Sequence, residues 1–363
     1  MDVAERTGRI SDRVPRRSLW TDAFAVCNFL GIYRETGEDE YLSLARKLID
    51  QVHHILGRHR SDDERFGWIS GMEEEEGSEH PAAGGLRIGK PDPERGPEEP
   101  YDPRAEWNRD GQYFHYLTKW IHALDRIYRT TGEPVFSRWG AELAAAAYRG
   151  FTARDPEGTI LRMYWKMSID LRRPLVPSMG QHDPLDGLLT FCRLRGDSHA
   201  AGLTGPIVEL SELCAKLDWS TVDPLGLGGL LADTYRAARL REEKVLPLPD
   251  LPKELADAAR AGLERYLMTH PERLPATSRL AFRELGLVIG MEAAGRLREN
   301  KETTKIDRET EEALTAIERH EPWKEEVLSF WDDAGNQDNP AWREHRDINE
   351  VMLATALFPD GFL

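Results

Sequence analysis

Apolar residues recur three and four positions apart along almost the whole chain, the spacing that turns one face of an α-helix toward a core. Placing start and stop signals on that pattern predicts helices near 18–36, 39–58, 108–131, 134–152, 182–195, 205–217, 223–243, 252–269, 276–297, 308–333 and 341–357. Alternation with period two, the mark of a half-buried strand, is scarce. "TILRMYWKMSI" (Thr159–Ile169) carries it best and predicts a short hairpin arm. Two helix junctions share one pattern: "YRETGEDEYLSLARKL" (Tyr33–Leu48) and "YRTTGEPVFSRWGAEL" (Tyr128–Leu143). In each, the glycine ends one helix in a left-handed cap and the next helix begins within a few residues. That is an αα-hairpin, and its recurrence predicts an array of them. "FCRLRGDSHAAG" (Phe191–Gly202) reads as a degraded third copy.

Two kinds of helix alternate. "DPLGLGGLLADTYRAA" and "LAFRELGLVIGMEAAG" carry small residues on several sides and can pack closely against more than one neighbour. "KELADAARAGLERYL" is amphipathic with a charged face. A buried layer alternating with a solvated one is what a closed ring of hairpins requires. The main interruption is residues 59–107, rich in Gly, Pro and Glu. A loop that long is either disordered or functional. Its "EEEE" run suits a solvated insertion, whereas "HPAAGGLRIGKP" interleaves apolar residues with Arg87 and Lys90, as a loop packed over something would.

Composition narrows the class. Of 363 residues 40% are hydrophobic and 31% charged, as in globular domains, and a length of this order suits one large domain or two small ones. No apolar run reaches the roughly 18 residues of a membrane span, so no membrane partner is expected. A net charge of −16 repels phosphate backbones and argues against nucleic acid. The opening "MDVAERTGRISDRVPRRS" has no apolar core of a secretory signal, which predicts a cytoplasmic protein. Cys27, Cys192 and Cys214 show no CxxC spacing and read as buried free thiols, with no metal site expected. Phosphate loops, dinucleotide-binding glycines, HExxH and GxSxG are missing, so nothing in the sequence asks for a cofactor. Nor does it set an oligomeric state.

The repeated turn, the aromatic-rich helix start "DGQYFHYLTKW" (Asp110–Trp120) and the number of helices together resemble the (α/α)6-barrel proteins: the six-hairpin glycosidases and the N-acylglucosamine 2-epimerase-like enzymes. The resemblance covers nearly the whole chain and is architectural; no family signature transfers a catalytic residue to a given position. It implies an all-α fold, one (α/α)6-barrel domain over 1–363 with 59–107 as a lid-like mouth loop. It also implies a substrate mouth at the N-terminal ends of inner helices, here starting near Trp20, Asp110, His182, Asp223, Thr277 and Trp342. A small saccharide is the substrate class implied.

Chemistry-bearing residues collect near those starts. "MGQHDPLDG" (Met179–Gly187) supplies Gln181, His182, Asp183 and Asp186; Asp183 before Pro184 also suits an N-cap, as does Asp223. "WREHRDINEVMLA" (Trp342–Ala354) supplies His345, Arg346, Asp347 and Glu350, either an ion-paired solvated face or a lining. Trp20, Trp107, Tyr113 and Trp342 offer flat faces for a sugar ring or for the core. Glycosidic hydrolysis needs two carboxyl groups, one protonated and one ionised, and Asp110, Asp183, Asp186, Asp347 and Glu350 are available. Epimerisation needs an acid–base pair near neutrality, for which His115, His182 and His345 qualify. The expectation is a glycoside hydrolase centred on Asp110, His182, Asp186 and Glu350. Trp20, Arg87, Trp107, Gln112, Tyr113, His115, Gln181, Asp183, Trp342, His345, Arg346 and Asp347 would surround the substrate. A histidine-dependent epimerase or isomerase is the alternative, and a non-catalytic helical module the third reading.

Overall fold

The computed structural model describes residues 16–176, 178–195, 198–299 and 304–363. They fall into two compact units, 16–183 with 198–206, and 184–195 with 207–363.

The first unit contains helices α1 (Leu19–Thr36), α2 (Asp39–Leu56), α3 (Glu74–Glu79), α4 (Pro103–Asn108), α5 (Phe114–Thr131) and α6 (Pro134–Phe151). Helix α1 packs on α2 and on α5, and α5 packs on α6. The repeated turn has the same hydrogen bonds in both copies. Gly37 (φ 71°) donates its N–H to the Tyr33 carbonyl at 2.8 Å, and Gly132 (φ 73°) to that of Tyr128 at 2.7 Å. The threonine before each glycine accepts the N–H of the glutamate after it, Glu38 to Thr36 and Glu133 to Thr131, each at 3.2 Å. Gly supplies the left-handed backbone and Thr satisfies the next donor, which explains the shared string. The centre of the third copy, Gly196 and Asp197, lies outside the described residues.

Five short strands complete this unit: β1 (Gln112–Tyr113), β2 (Thr152–Arg154), β3 (Ile160–Met163), β4 (Lys166–Met167) and β5 (Pro174–Val176). The expected hairpin at 159–169 is divided between two antiparallel sheets. β3 pairs with β2, while β4 lies between β1 and β5. The helix expected from 108 begins only at Phe114. Gly111 has φ 145°, and a Cβ there would meet the Met167 carbonyl at 2.7 Å, so the chain runs extended across β4 before it can coil.

Loop 59–107 is half solvated and half packed. Glu73–Glu76 is exposed, but Ala82, Leu86 and Ile88 are buried. Arg87 N–H reaches the Leu56 carbonyl and Ile88 N–H the Gly111 carbonyl, each at 2.9 Å. The segment is therefore part of the fold. Excising 73–98 would remove this core. Leu86→Ala should cost about 2–5 kcal/mol in urea unfolding, the range for a buried leucine truncation. A loss below about 0.5 kcal/mol, the scale of surface substitutions, would return the loop to the solvated class.

Helix α7 (Asp183–Leu194) begins at the boundary between the units, and α8 (Thr204–Cys214) follows. The second unit holds α9 (Pro224–Glu242), α10 (Leu251–Leu267), α11 (Ala281–Glu299), α12 (Arg308–Glu318), α13 (Glu321–Asp332), α14 (Ala334–Gln337), α15 (Pro340–Glu344) and α16 (Arg346–Leu357). Helix α9 packs on α10 and α11, and α11 on α16. Asp223 caps α9, its Oδ1 accepting the Gly226 N–H at 2.9 Å. The expected helix 308–333 is two helices, because Pro322 opens a new first turn. The expected helix 341–357 breaks at His345, where Asn349 Nδ2 satisfies the Trp342 carbonyl at 3.2 Å. The small-residue faces meet directly. A Cβ on Gly228 would stand 2.1 Å from the Gly286 carbonyl oxygen, and one on Gly290 2.3 Å from that of Gly228. Gly228→Ala must push α9 off α11 and should lower stability by about 1–3 kcal/mol, the usual cost of overpacking. An unchanged melting temperature would contradict that contact.

Cys27, Cys192 and Cys214 are free and buried. Burial pushes the Cys27 and Cys192 thiols up to about 12 and that of Cys214 higher still. Among the described residues no helix is long and apolar enough to cross a membrane.

Candidate active site

At the start of α5 the extended β1 backbone hands over to the helix, so Tyr113, His115 and Tyr116 project close together. The His115 ring stacks on Tyr113 at 5.4 Å and meets Tyr116 edge-on at 4.9 Å. Trp165 lies 5.3 Å from Tyr113, and Trp20 lies 6.5 Å from Tyr116. His115 Nδ1 stands 3.6 Å from Asp183 Oδ1, with the imidazole 29% exposed and the carboxylate 7%. That distance is an ion-pair contact longer than a direct hydrogen bond. Burial holds the Tyr113 and Tyr116 hydroxyls protonated, raising Tyr116 to about 12 and Tyr113 further. His182, half-buried, and Gln181, exposed, lead into Asp183.

Beneath the cluster is a buried charge network. Lys166 Nζ donates to Glu106 Oε1, to the Glu106 carbonyl and to the Arg109 carbonyl, each at 2.8 Å. Glu106 Oε2 also accepts from Arg95 Nε at 3.1 Å. Burial lowers the Lys166 pKa, opposed by Glu106. All three ammonium protons are used, so Lys166 ties α4 to β4 and anchors the strand preceding His115. Sequence reasoning missed Lys166, Glu106 and Trp165. Their only signal was the alternation in "TILRMYWKMSI", where an inward lysine requires a buried acid.

Other expected residues have different environments. Asp110 is wholly enclosed. Its Oδ2 accepts from Arg87 at 2.6 Å and Arg60 at 3.3 Å, and its Oδ1 from the Gly89 and Gly111 N–H groups at 3.0 Å. It precedes the helix rather than opening it, and it stitches the long loop to β1. Arg87 spends its remaining donors on the Arg58 and Ile55 carbonyls at 2.7 Å. Gln112 accepts from Leu86 N–H and donates to the Gly84 and Ile169 carbonyls. These three are internal braces. Trp107 is 52% exposed beneath Lys90 Nζ, which stands 4.8 Å from the ring.

In the second unit, Asp186 lies 3.5 Å from Arg236 Nη1, which also holds Asp233 at 2.9 Å. Glu350 Oε1 accepts from Arg346 Nε at 2.6 Å, one turn away on α16. Trp342 is buried and stacked on Trp331 at 5.6 Å. His345 packs edge-on against Phe282 at 5.4 Å, and Asp347 is exposed. Of the expected centre, Asp110 and His182 thus belong to the first unit and Asp186 and Glu350 to the second. Among the described residues no group of three or more His, Cys, Asp or Glu is placed to hold a metal ion.

No family model and no curated protein matches the chain. Solved structures do. Cellobiose 2-epimerase from Spirochaeta thermophila DSM 6192 superposes with a TM-score of 0.51 over 95% of this chain and 86% of its own, at 13% identity. Cellobiose 2-epimerase from Bacillus thermoamylovorans B4167 gives 0.51 over 94% and 88%, at 11% identity. The fold is the all-α (α/α)6 barrel of helical hairpins. At such low identity the likeness is one of fold.

Proposed function

We propose that the chain is a carbohydrate-active enzyme, a sugar epimerase or isomerase, in which His115 exchanges a substrate proton while Asp183 offsets the imidazolium charge. The observation that carries this reading is the partly open His115 imidazole set among Tyr113, Tyr116 and Trp165 with a buried carboxylate behind it. Aromatic faces suit the apolar face of a sugar ring. Two protonated tyrosine hydroxyls can donate to its oxygens. An open-chain aldose is acidic at the carbon beside its carbonyl. A base that takes that proton leaves an enediolate; a second acid or a water molecule that delivers a proton to the other face then inverts the carbon, and His115 gives up the proton it took to solvent. The fold likeness to two cellobiose 2-epimerases supports the same reading.

Hydrolysis, the first expectation from sequence, has weaker support. It needs a carboxylic acid facing substrate, and Asp110 faces two arginines and the backbone with no exposure. Incubation of the protein with a panel of reducing sugars and oligosaccharides in D2O separates the two. Deuterium on a ring carbon without cleavage is the expected result; new reducing ends without deuterium would replace epimerisation by hydrolysis.

A further inference from the structure

The first unit has a cleft of about 370 Å³, bordered by the 94–97 stretch, Arg65 and the 168–173 turn. Its acidic members are already committed. Glu94 accepts from Arg65 at 2.5 Å with one oxygen and from the Ile169 N–H at 2.6 Å with the other. Asp170 accepts from Ser168 Oγ at 2.7 Å with Oδ1 and lies 3.3 Å from Arg65 Nη1 with Oδ2. Two of its arginines are committed as well. Arg65 is shared between Asp63, Glu94 and Asp170. Arg95 uses Nε on Glu106 and its terminal nitrogens on the Glu99 and Leu175 carbonyls.

The remaining pair differs. Among the described residues Arg172's guanidinium makes no hydrogen bond or ion pair, and Arg173's makes one bond, to the Arg95 carbonyl. Both stand on a turn fixed from within. Ser168 Oγ accepts the N–H groups of Arg172 (3.2 Å) and Arg173 (3.0 Å), and Leu171, immediately before them, holds a left-handed φ of 59°. A leucine there costs on the order of 1 kcal/mol and persists only where its surroundings impose it. Two cationic groups with unused donors, on consecutive residues at a cleft whose lining acids are already bonded to an arginine, a hydroxyl or a backbone N–H, match one ligand chemistry. A tetrahedral oxyanion accepts several guanidinium hydrogen bonds at once.

We propose that this cleft is a second binding site, specific for a phosphoryl group, with Arg172 and Arg173 as its ligating residues. The phosphoryl group is either free inorganic phosphate or part of a phosphorylated small molecule. The site involves none of the residues of the aromatic cluster, so it stands or falls separately from the proposed sugar chemistry. The test is calorimetric titration of the full chain with inorganic phosphate at constant ionic strength, repeated with a sugar monophosphate and with sodium chloride as the control anion. Saturable phosphate binding is expected, weakened at least about tenfold in Arg172→Ala, the loss of a charge-assisted contact. The Arg172 guanidinium makes no internal bond among the described residues, and the backbone N–H that holds the turn survives truncation to alanine, so the fold stays intact, which an unchanged melting temperature verifies. Arg308→Ala, an exposed arginine on α12, should bind like the unmodified protein. Tighter binding of the sugar phosphate identifies a carried group, and equal binding the free ion. Phosphate binding no better than chloride, or equal in Arg172→Ala, overturns the assignment.

Discussion

His115→Gln is expected to abolish most turnover, by about 10²–10⁴-fold, the range for losing a general acid–base group, while leaving the melting temperature close to that of the unmodified protein. Glutamine keeps a planar polar side chain beside Tyr113 and removes only the titrating ring. Asp183→Asn should lower turnover less, because it leaves the imidazole in place and removes the charge 3.6 Å from it. The readout is deuterium exchange into a sugar that the unmodified protein turns over. Full exchange in His115→Gln would remove His115 from the chemistry. His182→Gln and His345→Gln would then be the next substitutions to compare.

Asp110→Ala is expected to act on stability. The carboxylate is fully buried and bonded to Arg87, Arg60 and three backbone N–H groups. Removing one partner of a buried pair leaves the other charge uncompensated, at a cost of about 3–5 kcal/mol. Chemical denaturation of Asp110→Ala beside Asp110→Asn measures it. Asparagine retains an acceptor for the backbone donors and should lose less. A variant that unfolds normally yet is catalytically dead would restore Asp110 to the active site.

Helical hairpins were legible in the sequence wherever local chemistry alone determines structure. Gly37 and Gly132 end their helices by backbone preference, and the Gly-rich faces of α9 and α11 announce a close contact. What failed needed long-range partners. Asp110 looked like the first turn of a helix because its periodicity is helical, yet Gly111 and the pairing of Gln112 with Met167 override it. Its role as a brace depends on Arg87, 23 residues earlier, and no spacing rule connects the two. His115, Tyr113, Trp20 and Asp183 were each recognised as polar or aromatic groups near helix starts. That Asp183 comes within 3.6 Å of His115, 68 residues earlier, follows from no spacing rule and only the folded chain shows it.

The buried thiols have a practical consequence. A thiolate is the reactive form, and groups as well shielded as Cys27, Cys192 and Cys214 form almost none at neutral pH. The natural sequence is therefore already a silent background for maleimide chemistry. One cysteine introduced at an exposed site such as Met268 can carry a fluorophore or spin label without first removing the native three.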